Sequence, residues 1–122
     1  PSGVVSVGPY TPAIESGGFI FLSGQTPIDP ETGKLVTGGI TEQTEQSFRN
    51  CARVLEGAGL TCDDVVKVTV FLSDMSNFSL MNDVYAVQFS NPFPARSTVG
   101  VRELPLGALI EIEMIACRNG SM

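Results

Sequence analysis

The chain has no histidine in its 122 residues. That absence removes Ser-His-Asp and Cys-His catalysis, together with histidine-dependent metal sites. It also removes the usual acid–base pair of metal-free ribonucleases. Any catalysis must run on carboxylates, tyrosine, arginine, lysine, backbone groups or bound water. Cysteine is scarce. Cys51, Cys62 and Cys117 are widely spaced, odd in number and contain no CxxC pair, which argues against a disulfide framework and a zinc site. Charge is scarce as well, at 16% of residues against about a quarter in an ordinary globular chain. The net charge is −6, and generic nucleic-acid or anionic-membrane surfaces want a basic face. No apolar run reaches the roughly 18 residues of a membrane span, and no signal-peptide pattern opens the chain. The expectation is a soluble, cytoplasmic protein with no nucleic-acid and no membrane partner.

At this length, residues 1–122 read as a single domain with a real core. The 43% hydrophobic content marks it as globular. There is no linker or internal repeat. Gly18–Leu22 reads as a buried strand and Lys34–Thr37 as a short one. Thr41 is placed as the N-cap of a helix running to about Glu56, with Thr44, Phe48, Cys51, Leu55 and Ala58 as its apolar stripe. Val65–Ser73 is the clearest strand. Ser76 is placed as the cap of a second helix, striped by Phe78, Met81, Tyr85 and Phe89. Arg96–Val101 and Ala108–Cys117 close the chain as strands. The order predicts an α+β domain with one mixed sheet.

Two helices cover one face of such a sheet, yet the strands are apolar on both. Val66, Val68, Val70 and Leu72 are read as one row, and Val65, Thr69 and Phe71 as the other. The uncovered face calls for a second copy of the chain. In the last strand Ile110, Ile112, Met114 and Ala116 form the row toward the helices, which sends Glu111 and Glu113 to the other face. If Arg96–Val101 pairs with that strand, Arg96 and Thr98 share the glutamates' face, joined by Phe19, Phe21 and Ser23.

Arg96 is the residue on which function turns, because a guanidinium stays charged and takes a partner when buried. One reading gives it Glu111 or Glu113 as a structural ion pair, and such pairs outnumber catalytic ones. The other gives it the carboxylate of a ligand, which suits its fork geometry. A nearby glutamate is then free to handle a water. Tyr10, on a stiff Gly-Pro-Tyr loop, is either a hydroxyl donor or a packing residue. Asn82, one position off the helix stripe, either lines a pocket or faces water. Cys51 reads as core. Gly38-Gly39 has no lysine after it, so a phosphate loop is not expected.

Five ordered blocks carry a resemblance over essentially the whole chain: Gly8-Pro-Tyr-Thr-Pro-Ala13, Leu22-Ser-Gly-Gln-Thr-Pro27, Val68-Thr-Val-Phe-Leu72, Phe93-Pro-Ala-Arg-Ser97 and Leu109-Ile-Glu-Ile-Glu-Met-Ile-Ala116. Together they resemble the reactive intermediate deaminase family, of the RidA or YjgF type. The resemblance implies a chorismate-mutase-like fold (bacillus type): one mixed six-stranded sheet with two helices on one face. It implies a homotrimeric barrel with clefts between subunits. It also implies hydrolysis of 2-imino acids such as 2-iminobutanoate and 2-iminopropanoate to 2-keto acids and ammonia, with no cofactor and no metal. By position, Arg96 matches the arginine that holds the substrate carboxylate, Glu111 the water-positioning acid and Tyr10 the pocket tyrosine. Ser23, Gly24 and Asn82 match cleft-lining positions. Thr98 stands where many members carry cysteine, so thiol roles do not transfer, although backbone contacts from that position survive the change. Three rival readings remain: a non-catalytic sensor of small carboxylates or keto acids, a translation-inhibiting endoribonuclease, and a structural or chaperone-like oligomer.

Overall fold

The computed structural model describes residues 11–118. Five strands form one mixed sheet in the order β1-β2-β5-β3-β4. They are β1 (Ala13–Ser16), β2 (Phe19–Gln25), β3 (Val65–Leu72), β4 (Ala95–Gly100) and β5 (Ile110–Cys117). Two helices pack on one face: α1 (Ile40–Gly57) and α2 (Phe78–Ala86). The expected sixth strand is not among the described residues, and Lys34–Thr37 contributes only the single bridge Ile28–Leu35.

Strand β1 went unrecognised in the sequence. Its hairpin to β2 turns on Gly17 and Gly18, with φ of 61° and 85°, a backbone that two consecutive glycines supply. Helix α1 starts two residues earlier than expected. Gly39, not Thr41, is its cap, and the Glu42 carboxylate accepts the Gly39 N–H at 2.9 Å. Asp74 rather than Ser76 opens the second helical segment, accepting the Ser76 N–H at 2.9 Å in a 3-10 turn that leads into α2. The helix faces meet as expected: Phe48, Cys51, Leu55 and Met81 are buried in one core with the inward rows of the sheet. Phe89 lies past the end of α2 and still packs edge-on against Phe48.

Parity holds along β5, where Ile110, Ile112, Met114 and Ala116 are all buried. In β3 it breaks at one point. A bulge between Val65 and Lys67 shifts the register, so Val65 joins the buried row and Val66 is exposed. The extra residue of a bulge reverses every parity assignment before it.

The larger correction concerns β4. It pairs with β3, parallel, and does not touch β5. The unit β3–α2–β4 is a parallel crossover, which needs a helix-length connection. Arg96 sits opposite Val68, and Thr98 opposite Val70. Both of those valines face the helices. Arg96 and Thr98 therefore lie on the helix side of the sheet, away from the face that carries Glu111 and Glu113. On that open face Phe19 and Phe21 of β2 remain 43% and 44% exposed, and Val99 of β4, across the sheet from them, is exposed as well. Among the described residues nothing covers this apolar face, which is the face the strand pattern predicts.

Two buried amides of α1 fix the loops near the site. Asn50 donates from Nδ2 to the carbonyls of Thr26 and Ile28, at 3.1 and 2.9 Å. Gln43 Oε1 accepts the Leu109 N–H at 2.9 Å, just before β5 begins. Most buried polar side chains are hydrogen-bonded; Asn50 thereby holds the Thr26 and Ile28 segment, and Gln43 the chain just before β5.

Candidate functional site

The sequence-predicted residues fall into two groups. The first surrounds Arg96. Its Nη1 donates to Asn82 Oδ1 at 2.7 Å. The guanidinium lies 4.5 Å from the centroid of the Tyr85 ring and 5.5 Å from that of Phe78. All three partners come from α2. A cation over an aromatic face is attracted by the ring quadrupole, and the flat guanidinium stacks well there. Asn82, Tyr85, Phe93, Pro94 and Arg96 line a cavity of about 280 Å³. Neither Glu111 nor Glu113 pairs with Arg96. The ion pair found among the described residues is Arg118 to Glu15, at 2.9 Å on the surface.

Tyr85 supplies an observation the sequence did not. It is only 5% exposed, and its hydroxyl has no hydrogen-bond partner among the described residues. Burial pushes that hydroxyl's pKa up, partly offset by the Arg96 charge, so it stays protonated at neutral pH. The Thr98 hydroxyl, one step along the same row of β4, is likewise buried and unpartnered. Orphaned buried hydroxyls beside a tethered cation are what a polar guest would satisfy.

The second group surrounds Glu111. Ser23, Gly24, Ile28, Pro105, Leu106 and Glu111 line a cavity of about 320 Å³. Ser23 donates its hydroxyl to the Thr11 carbonyl at 2.6 Å. Gly24 is a spacing residue: a Cβ built there would overlap the Glu111 carboxylate. The irregular register of β2 between Leu22 and Gln25 brings Ser23 and Gly24 beside Glu111. Burial raises the Glu111 pKa, and the neighbouring charge of Glu113 raises it further. Tyr10 lies outside the described residues.

The two groups are separate within one chain. Glu111 sits opposite Phe71, and Phe71 sits opposite Val99, three residues along β4 from Arg96. At about 3.3 Å per residue and 4.8 Å per strand, the offset is on the order of 10 Å in each direction. The sheet itself also lies between the two side chains. A single small anion cannot touch both from one copy.

The family model described as Endoribonuclease L-PSP matches residues 2–118. The chain belongs to that family, the RidA or YjgF type. A RutC family protein of Pyrococcus horikoshii is 52% identical over 113 residues, covering 93% of this chain and 90% of that one. A protein of Dermatophagoides farinae named 2-iminobutanoate/2-iminopropanoate deaminase is 45% identical over 109 residues, covering 89% and 85%. The crystal structure of a Thermotoga maritima protein described as a putative endoribonuclease superposes with a TM-score of 0.89 at 48% identity, covering 93% and 90%. The α+β architecture with one mixed sheet and two helices is that of this family. Among the described residues no helix is long and apolar enough to cross a membrane.

The sequence singled out Arg96 and Asn82 without linking them, and it missed the ring platform beneath the arginine. The spacing held a signal. Phe78, Asn82 and Tyr85 follow steps of four and three, one face of a helix. Phe78 and Tyr85 read as core stripe and Asn82 as lying off it, so the three were not joined into one face.

Proposed function

We propose that the protein is an imine deaminase that hydrolyses small 2-imino acids, such as 2-iminobutanoate and 2-iminopropanoate, to 2-keto acids and ammonia. The observation that carries this reading is Arg96: a tethered guanidinium at a cavity wall, with no carboxylate partner among the described residues. A 2-imino acid presents one carboxylate beside an electrophilic C=N carbon. The guanidinium fork takes the first, and this positions the second. Relatives named for this reaction at 45% identity support the same chemistry.

The site is completed between copies. The Arg96 group of one copy meets the Glu111 group of the next, in a homotrimer whose open sheet faces bury one another. The exposed Phe19 and Phe21 support that packing. In each cleft Glu111 holds a water and takes its proton as the oxygen attacks the imine carbon. The protonated Glu111 returns that proton to the carbinolamine nitrogen, and as the C–N bond breaks and ammonia leaves, Glu111 takes the hydroxyl proton and C=O forms. Tyr10, Tyr85 and backbone amides hydrogen-bond to the carbinolamine as it forms. Ser23, Asn82 and Thr98 line the cleft around the carboxylate. A protonated imine is already a strong electrophile, so positioning and one carboxylate suffice. That explains how a chain without histidine performs the reaction.

The direct test generates the imine with an amino-acid oxidase and lets semicarbazide compete for it. Added protein should accelerate keto-acid release. Binding of keto acids without any acceleration would instead identify a sensor. The ribonuclease reading has the family model's description behind it, but the net charge of −6 and the lack of histidine weigh against it.

The raised Glu111 pKa sets a pH dependence. Glu111 works ionised, so activity falls as pH drops through its pKa. Because that pKa lies above the ordinary value of about 4.3, the acid limb of kcat/KM is expected above the usual glutamate range. Glu113→Gln removes the like charge and should move the limb down, while burial keeps it from returning fully. An acid limb that ignores Glu113 would show that another group titrates there.

Gly24→Ala tests the same acid from the side. The added methyl meets the movable end of Glu111 rather than backbone. The fold should melt within a few degrees of wild type, while kcat falls on the order of tenfold to a hundredfold as the carboxylate is displaced. An unchanged kcat would mean that the position of Glu111 does not matter.

A further inference from the structure

We infer that Leu106 sets which substrate side chain the Glu111 cavity accepts, acting as its apolar lip; this rests on the imine-deaminase reading above. Leu106 has φ 61° and ψ 16°, and it is the one non-glycine residue with positive φ among the described residues. Left-handed backbone is unfavourable for a leucine, whereas glycine adopts it freely and asparagine tolerates it. The leucine gains little packing in return among the described residues, being 63% exposed. A large apolar residue is thus held in the wrong conformation and in the wrong environment for stability. Strain of this kind collects where a site needs it.

The surroundings say what it serves. Leu106 lines the same cavity as Gly24, Ser23 and Glu111, together with the apolar Ile28 and Pro105. Its loop is tightly closed. Gly107 donates to the Leu104 carbonyl and Ala108 to the Pro105 carbonyl, each at 3.1 Å. Gly107 continues the left-handed backbone at φ 73°. The side chain is therefore presented by a fixed turn, not by a loose loop. With the substrate carboxylate on Arg96 and the attacking water on Glu111, the remaining substituent of the imine carbon is its alkyl side chain. The apolar lining of the Glu111 cavity is where that group finds contact, and Leu106 is its exposed, protruding member.

The experiment compares Leu106→Asn and Leu106→Met in the full chain. Asparagine suits the left-handed turn but removes the apolar contact, whereas methionine keeps it. Three imines are generated in situ, with methyl, ethyl and isobutyl side chains. The readout is kcat/KM for each, with oligomer size by light scattering. We expect Leu106→Asn to lower the isobutyl-to-methyl ratio by about tenfold or more, the scale of one or two lost apolar contacts. The methyl substrate should lose least of the three, and Leu106→Met should keep the wild-type ratio. An unchanged ratio in Leu106→Asn overturns the inference. So does an equal loss on all three substrates with a smaller oligomer, since that marks a purely structural contact. If the wild type hydrolyses none of the imines, the deaminase reading fails instead. The same ratio is then read as Kd for pyruvate, 2-ketobutanoate and 2-keto-4-methylpentanoate. A ratio that shifts in Leu106→Asn supports the inference for a binding site. An unshifted ratio, or no binding at all, overturns it.

Discussion

Replacing Arg96 by alanine is expected to remove imine hydrolysis while the sheet and helices stay folded. The guanidinium is held by one hydrogen bond to Asn82 and by the rings of Tyr85 and Phe78. No carboxylate of the described residues neutralises it, so its charge is available to a guest. A charge-assisted hydrogen bond is worth about 1.5–3 kcal/mol net, and a bidentate grip makes two of them. The loss in kcat/KM should therefore be on the order of a hundredfold or more. The loss to the fold is smaller. One partly exposed hydrogen bond and a ring contact together amount to about 1–2 kcal/mol, a shift of several degrees in Tm. Arg96→Lys sharpens the test, since it keeps the charge but loses the fork and the flat stacking surface. It should recover only a minor part of the activity. The coupled assay beside a circular-dichroism melt measures both quantities. An alanine variant within about threefold of wild type would end the carboxylate-binding role.

How much of this was legible in the sequence depended on what each signal measures. Period-two alternation reports burial, and it placed β5 correctly because every second residue from Ile110 to Ala116 is buried. The same count failed at Val65 and Val66. The bulge there exchanges two chemically identical side chains, and composition carries no trace of it. Strand β1 escaped because it is a short edge strand with little buried surface. Its readable mark was the Gly17-Gly18 turn. The neighbour of β4 was the costly error. Adjacency in sequence suggested β5, but a strand that follows a helix after β3 belongs beside β3. That one choice moved Arg96 to the wrong face and gave it the glutamates as neighbours. The residue types of the site were readable because the lack of histidine left few groups able to act. Their grouping was not, since it depends on strand order and, in our reading, on a second copy of the chain.

That second copy makes a mixing experiment decisive. Arg96→Ala and Glu111→Gln should each be nearly inactive alone. If each cleft draws its arginine from one copy and its acid from another, co-refolded mixtures must regain activity. In an equal random mixture a cleft is intact when a Glu111→Gln chain supplies the arginine and an Arg96→Ala chain supplies the glutamate. About a quarter of the clefts in a cyclic assembly meet that condition. Roughly a quarter of wild-type turnover should therefore return from two dead parents. Mixing without refolding should return far less, because the exposed faces around Phe19 and Phe21 are covered once assembled and exchange slowly. The separation of the two groups by the sheet is what makes the outcome informative. If both residues served one cleft from the same chain, every mixed cleft would carry one defect and no activity would return. The double variant Arg96→Ala/Glu111→Gln mixed with wild type is the control. There too about a quarter of clefts keep both groups, in this case because both of the copies that meet are wild type. Full silence in the first mixture and activity in the second would show that the acid and the arginine act from the same copy, against the geometry argued for here.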